Sequence, residues 1–199
     1  DTGANSRVDL YVRVIRELAQ KHRLPAFRLG YFYSEIGKDN VRRRMRAGDV
    51  VRGLEGHRDL TESELDATER IVAMAGVHPF IALLEQGADV IIGGRSSDSC
   101  VFAAPAIHHG FPEAQAYYLG KVLECASFCA EPYGGKETVL GRITHDAVEV
   151  TAMHPAQRCT VASVAGLVGG LFEDAVLGEL AQVEAGLVGR DPQRRGEVG

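Results

Sequence analysis

Arg95 and Asp98 follow a Gly93–Gly94 pair in the stretch GADVIIGGRSSDSCVFAAPAIHHG, residues 87–110. Arginine presents a planar fork of donors that can clamp a carboxylate or phosphate through two parallel hydrogen bonds. An aspartate three residues further on can cap a helix, orient the arginine or move a proton. Ala88–Ile92 reads as a brief, mostly apolar strand closed by the glycines, the pattern of a strand buried in a parallel sheet. Strand, glycine turn and helix start together can make an anion site, because free N–H groups and the positive helix end both favour negative charge there. Ser96 belongs to the same turn. The competing reading is structural: the glycines permit a tight turn, Asp98 is a plain N-cap, and Arg95 and Asp98 are a solvated ion pair. The spacing matches neither G-x-G-x-x-G nor G-x-x-x-x-G-K-[ST].

Two further polar loops come into play if the fold is a parallel sheet, where ligands collect beyond the carboxyl ends of the strands. They are Asp1–Ser6, with Asn5, and Ser34–Asn40, with Glu35 and Lys38. The expectation is a shared rim. Asn5, Lys38, Gly93, Gly94, Arg95 and Ser96 would bind an anionic substrate, and Asp98 or Glu35 would act as general acid or base.

Other residues have weaker claims. His108 and His109 end a helix, where the dipole favours a cation. Cys125 and Cys129 lie four apart and read as small core residues, or as zinc ligands only with partners from elsewhere. Glu124, beside Cys125 in a mostly apolar helix, would have a raised pKa if drawn into the core and could then serve as an acid; on the surface it would be an ordinary helix glutamate. His154 and Cys159 are close in sequence, as a thiol nucleophile and its base would need to be in space. HxxxH, HExxH and CxxC spacings are lacking, so no metal site is expected. No motif identifies a cofactor, which stays unassigned.

The elements that must position these groups follow from periodicity. Val8, Tyr11, Ile15 and Leu18 recur at helical spacing over 7–22, behind a capping-box-like Ser6 and Asp9. Arg28–Tyr33 reads as a strand and 40–47 as a short helix, followed by an irregular stretch over Gly48–Asp59. Thr61 and Glu64 form a capping box, and a buried stripe of Leu65, Thr68, Val72 and Ala75 predicts a helix up to Gly76. Pro79 opens a helix to about Gln86. The helix after Asp98 contains Pro105, which bends or splits it. Pro112 opens another through about Ala130. Thr138–Ile143 and Ala147–Ala152 flank Thr144-His145-Asp146 as a hairpin, and a helical stretch begins after Cys159. This order predicts an α/β fold: three layers, a mainly parallel sheet with helices on both faces, and a hairpin towards the C-terminal side.

The chain has 199 residues, 45% hydrophobic and 25% charged, with a net charge of −5. That balance is globular, with no global pull towards nucleic acid or an anionic membrane. The basic run Arg42-Arg43-Arg44-Met45-Arg46 is too short to argue otherwise and reads as a solvated helix face. No apolar run approaches a membrane span. The 4 cysteines are sparse and irregular, which argues against a disulfide framework and for a reducing compartment. The chain opens on Asp1 in mid-motif and reads as a piece of something longer, lacking an N-terminal strand.

The residues quoted above carry a resemblance. GADVIIGGRSSDSCVFAAPAIHHGF resembles the signature of the acyclic terpene utilisation (AtuA-like) family, in which G-A-D, strand, G-R-x-x-D and A-P precede a helix. DTGANS, LGKVLECASFCAEPYGG and the His154-Pro155 step with Thr160-Val161 are similar to further segments of that family. The match covers 1–165, expected to be the family's α/β domain, and leaves 166–199 as a divergent or disordered tail. The resemblance implies a cytoplasmic catabolic protein from a setting of acyl-CoA carboxylases and dehydrogenases. The favoured activity is acid/base chemistry, of the hydratase or lyase kind, on a terpenoid or branched acyl-CoA or carboxylate. The rival is a non-catalytic interaction subunit beside an acyl-CoA carboxylase or dehydrogenase. A hydrolase of amides or lactams with an unrecognised metal is a third option, and assembly into a homo-oligomer stays open.

Overall fold

The structure, a computed structural model, describes residues 2–3, 7–133 and 138–169. Asn5 and Ser6, Gly134-Gly135 and the part of the expected tail from residue 170 onward lie outside the described residues. The chain divides into two compact units, one of Asp1–Pro79 with Gln86–Ser97, the other of Phe80–Glu85 with the chain from Asp98 onward.

The first unit is built on two parallel strands, β1 (Leu29–Phe32) and β2 (Val90–Gly93), in register from Leu29↔Val90 to Phe32↔Gly93. Helix α1 (Val8–Lys21) packs on both and buries Val8 and Val12. The Asp89 carboxylate accepts from the Arg28 N–H at 2.7 Å and so ties the start of β2 to the start of β1. Helix α2 (Lys38–Arg46) packs against α3 (Glu62–Ala67) through ion pairs: Arg42, which also meets Asp39 of its own helix at 2.6 Å, reaches Asp66 at 2.5 Å, and Arg46 meets both Glu62 oxygens at 3.1 Å. The basic run is therefore largely neutralised by neighbours.

The capping box at Thr61 and Glu64 forms as expected, but the helix it starts is short. Thr68 closes it, because both its N–H and its hydroxyl donate to the Glu64 carbonyl, at 2.9 and 2.7 Å, before the backbone turns extended. A Thr hydroxyl that competes for a carbonyl in this way opposes helix propagation. Beyond it Val72 pairs antiparallel with Glu35 and Ala75 pairs parallel with Ser96. The expected helix through Ala75 is thus replaced by an extended segment.

The division between the units falls inside helix α4 (His78–Glu85), after Pro79. In the second unit α5 (Cys100–His108) lies along α6 (Glu113–Glu124), joining small buried residues, Cys100, Ala103, Ala104 and Ala106, to Ala116, Leu119, Gly120 and Val122. Pro105 sits inside α5 without ending it. Helix α6 stops at Glu124, a 3-10 turn over Ala126–Cys129 takes the place of the expected helix end, and the Cys129 thiol donates to the Ala126 carbonyl at 3.0 Å. Strands β3 (Val139–Ile143) and β4 (Val148–Ala152) form the predicted antiparallel hairpin, and Gly141 gives way to Leu119 and Leu123 of α6. Helix α7 (Val161–Gly169) completes a core of Val122, Cys129 and Val164, with Tyr118, Val139, Val150, Cys159 and Leu167 packed around it. The class is α/β, with a two-stranded parallel sheet and a hairpin among the described residues.

Candidate functional site

The loops that leave the carboxyl ends of β1 and β2 are joined through one carbonyl. Arg95 O accepts from the Ser34 hydroxyl at 2.7 Å and from the Ala75 N–H at 3.0 Å. Ser34 is buried, and its own carbonyl accepts from Ala73 N–H at 2.9 Å. Ile36 N–H donates to Ile71 O at 3.0 Å. Ile71–Ala75 therefore staples both loops, which brings Glu35, Gly94, Arg95 and Ser96 to one edge of the first unit. A third segment arrives there as well, since Thr2 N–H donates to Gly93 O at 3.0 Å. The Thr2 hydroxyl is buried there, without a hydrogen-bond partner among the described residues.

Ser96 is fully buried, Arg95 half-buried and Glu35 exposed. The Glu35 carboxylate meets the Arg70 guanidinium at 3.2 Å. Lys38 turns elsewhere: its ammonium donates to the Asp66 carbonyl at the end of α3, at 2.9 Å. The expected free backbone donors of the turn are partly committed to the fold. Gly94 N–H donates to Phe32 O and Ser97 N–H to Ala75 O, both at 2.9 Å. These two N–H groups are therefore not free to meet an anion. Asp98 opens the second unit, is exposed, and precedes α5.

In that unit a second group of polar side chains gathers at the facing ends of α5 and α6. The hydrogen bond from Lys121 to Glu124 holds the ammonium above its ordinary pKa, and the charge of Asp98 adds to this. Burial pushes the Glu124 carboxyl up, but donation from Lys121 and from the Cys125 thiol outweighs it and leaves the carboxyl below its ordinary value. The expected raised pKa is thus overturned: Glu124 is drawn in, yet a cation and a thiol keep it charged. Burial, then Glu124, pushes the Cys125 thiol up.

Burial also raises the thiol of Cys159 and pushes that of Cys129 up to about 12, with Cys159 beside Cys129 adding to the rise. A thiol raised in this way carries less thiolate at neutral pH, which speaks against Cys159 as a nucleophile. The His154 Nδ1 instead accepts the Ala156 N–H at 3.2 Å. Because the folded pKa of Cys129 lies above its unfolded one, the protonated thiol contributes stability at neutral pH that is lost between about pH 9 and 12 as the unfolded chain releases its proton first. Iodoacetamide at pH 8 should therefore modify Cys129 only as the protein unfolds. Modification of the folded chain at the rate of a free cysteine would contradict this placement.

Sequence reasoning missed Ser34, Thr2, Arg70 and the Ile71–Ala75 staple. The signal for the last was available in the β-branched Ile71-Val72 pair just after Thr68. The model of the family described as acyclic terpene utilisation family protein AtuA matches residues 3–178. No curated protein and no solved structure matches the chain.

Proposed function

The chain belongs to the acyclic terpene utilisation family AtuA, and on that premise we propose that it is a catabolic enzyme performing acid/base chemistry, of the hydratase or lyase kind, on a terpenoid or branched acyl-CoA or carboxylate. The observation that carries the proposal is the pairing of Ser34 and Ala75 onto one carbonyl, Arg95 O, which fixes Arg95 and Glu35 at the same edge. Arg95 holds the carboxylate or acyl oxygen, Ser96 and Gly93–Gly94 shape the turn beneath it, and Glu35 moves the proton. Addition of water across a double bond conjugated to a carbonyl needs both functions: a group that stabilises negative charge on the oxygen, and one that exchanges a proton. Asp98, three residues beyond Arg95, is the alternative base for the proton step. Asn5 stays in the proposal as a flanking group, Lys38 would have to leave the Asp66 carbonyl to join it, and the sheet stays as part of a three-layer fold. An acyl-CoA carboxylase partner and self-assembly belong to the same proposal.

Replacing Arg95 by Ala tests the reading. A hydrogen bond to a charged group contributes about 1.5–3 kcal/mol, so binding of a branched acyl carboxylate should weaken by about tenfold to a hundredfold. A thermal melt checks that the variant is folded, and the Arg95 backbone carbonyl that joins the two loops is unaltered by the substitution. Unchanged binding in a folded Arg95→Ala protein would remove Arg95 from the site.

A further inference from the structure

At the C-terminal end of α6, Lys121, Glu124 and Cys125 form a group that the acid/base reading does not use. Lys121 and Glu124 lie one turn apart, and the Lys121 ammonium donates to Glu124 Oε1. Their side chains are only 29% and 16% exposed. Taking two charges this far out of water is costly, and such a pair is not a dependable source of stability. Charged groups held in surroundings of this kind cluster where chemistry is done. The Cys125 thiol donates to the same Glu124 carboxylate. All three residues keep some accessible surface, so the group is open to a ligand.

A nucleophile, a base and a third group that fixes the base make up the arrangement by which a weak nucleophile is activated. Here Cys125 is the nucleophile, Glu124 the base and Lys121 the third group. Burial and the neighbouring carboxylate leave Cys125 with little free thiolate. Attack therefore needs an acceptor that takes the proton as the new bond forms. Against the effect of burial, the Lys121 ammonium keeps Glu124 ionised and able to accept it. The other thiols have different neighbours: Cys129 donates to Ala126 O at 3.0 Å, Cys159 packs against Cys129, and Cys100 is buried beside Tyr117.

We propose that this group takes an acyl group from a thioester onto the Cys125 sulfur. Cys125 Sγ bonds to the carbonyl carbon as its proton passes to Glu124. The tetrahedral intermediate then breaks the original carbon–sulfur bond, and the departing thiolate takes the proton from Glu124. One thioester replaces another, so the step needs no oxidant, reductant or further reactant. The positive charge of Lys121 opposes the negative charge that builds on the carbonyl oxygen. All three residues belong to the second unit, and the proposal does not rest on the reading given to the Arg95 rim.

The test incubates the full chain with butyryl-CoA and reads both the thiol released and the mass of the intact protein. One acyl group per chain is expected, mapped to Cys125 by peptide mass analysis. Glu124→Gln should acylate about a hundredfold more slowly. Alkylation of Cys125 by iodoacetamide reads the thiolate already present. It should not slow in that variant, because the carboxylate that opposes the thiolate has gone. A merely structural role for Glu124 would slow both reactions or neither, and either result would overturn the assignment. If Glu124→Gln does not fold, Cys125→Ala should stay free of acyl groups under conditions where the wild type takes one up. No acylation of the wild type, acyl groups spread alike over several cysteines, or acylation that persists in Cys125→Ala would also overturn it.

Discussion

Gly94→Ala is expected to destabilise the protein by about 2–3 kcal/mol and to abolish ligand binding at the Arg95 rim. A Cβ at this position would sit 2.5 Å from Ser34 N, 2.6 Å from Ser34 Oγ and 2.9 Å from Ser34 Cβ. Two of these atoms cannot swing aside: Ser34 N is backbone and Ser34 Cβ is fixed to it. Ser34 is itself buried and anchored to Arg95 O and Ala73 N–H. The substituted chain must therefore spread the loops after β1 and β2, and the hydrogen bond from Ser34 to Arg95 O is the first to be lost. Thermal melts and titration with a branched acyl carboxylate measure both effects. A variant as stable as the wild type and still binding would mean that the two loops are not in close contact.

Leu65→Ala is expected to cost about 2–5 kcal/mol, the range for emptying a fully buried leucine site. Leu65 has no exposed surface and is the largest fully buried side chain among the described residues. It sits on α3, whose other anchors are exposed: the capping box at Thr61 and the ion pairs of Asp66 and Glu62 with α2. Exposed ion pairs contribute little, so burial of Leu65 holds α3 in place. Urea unfolding should show the loss. A cost below about 1 kcal/mol would mean that the site collapses around the smaller side chain.

Local signals carried far into this fold. The strand over Val90–Gly93 is closed by the Gly93–Gly94 pair, and the hairpin by Thr144-His145-Asp146, whose Thr144 hydroxyl accepts the Ala147 N–H at 3.0 Å. Thr61 and Glu64 announced a helix start four residues after Gly56-His57, and it stands where they put it. Its end was not legible, because Leu65, Thr68, Val72 and Ala75 keep helical spacing while long-range pairing with Glu35 and Ser96 pulls the last two into extended backbone. Tertiary pairing outweighs a local period when the period is carried by β-branched residues and a threonine that bonds back to the helix.

The candidate site divides in the same way. Arg95 and Glu35 could be named from residue type and from their place after strands. What could not be read was where each competing partner lies: Lys38 goes to the end of α3, the Gly94 and Ser97 N–H groups go to Phe32 and Ala75, and Glu124 is held charged by Lys121 and Cys125. Each of these depends on residues distant in sequence or on the balance between burial and a hydrogen bond, and neither has a local signature.

The central claim is that the loops after β1 and β2 form one anion-binding edge around Arg95. Backbone amide chemical shifts recorded while the full chain is titrated with a branched-chain acyl carboxylate test it most directly. The account predicts saturable shifts concentrated at 34–36 and 93–97, sensed together with one affinity and lost in Arg95→Ala. Shifts that saturate elsewhere while both loops stay unmoved, or that persist undiminished in Arg95→Ala, would contradict it.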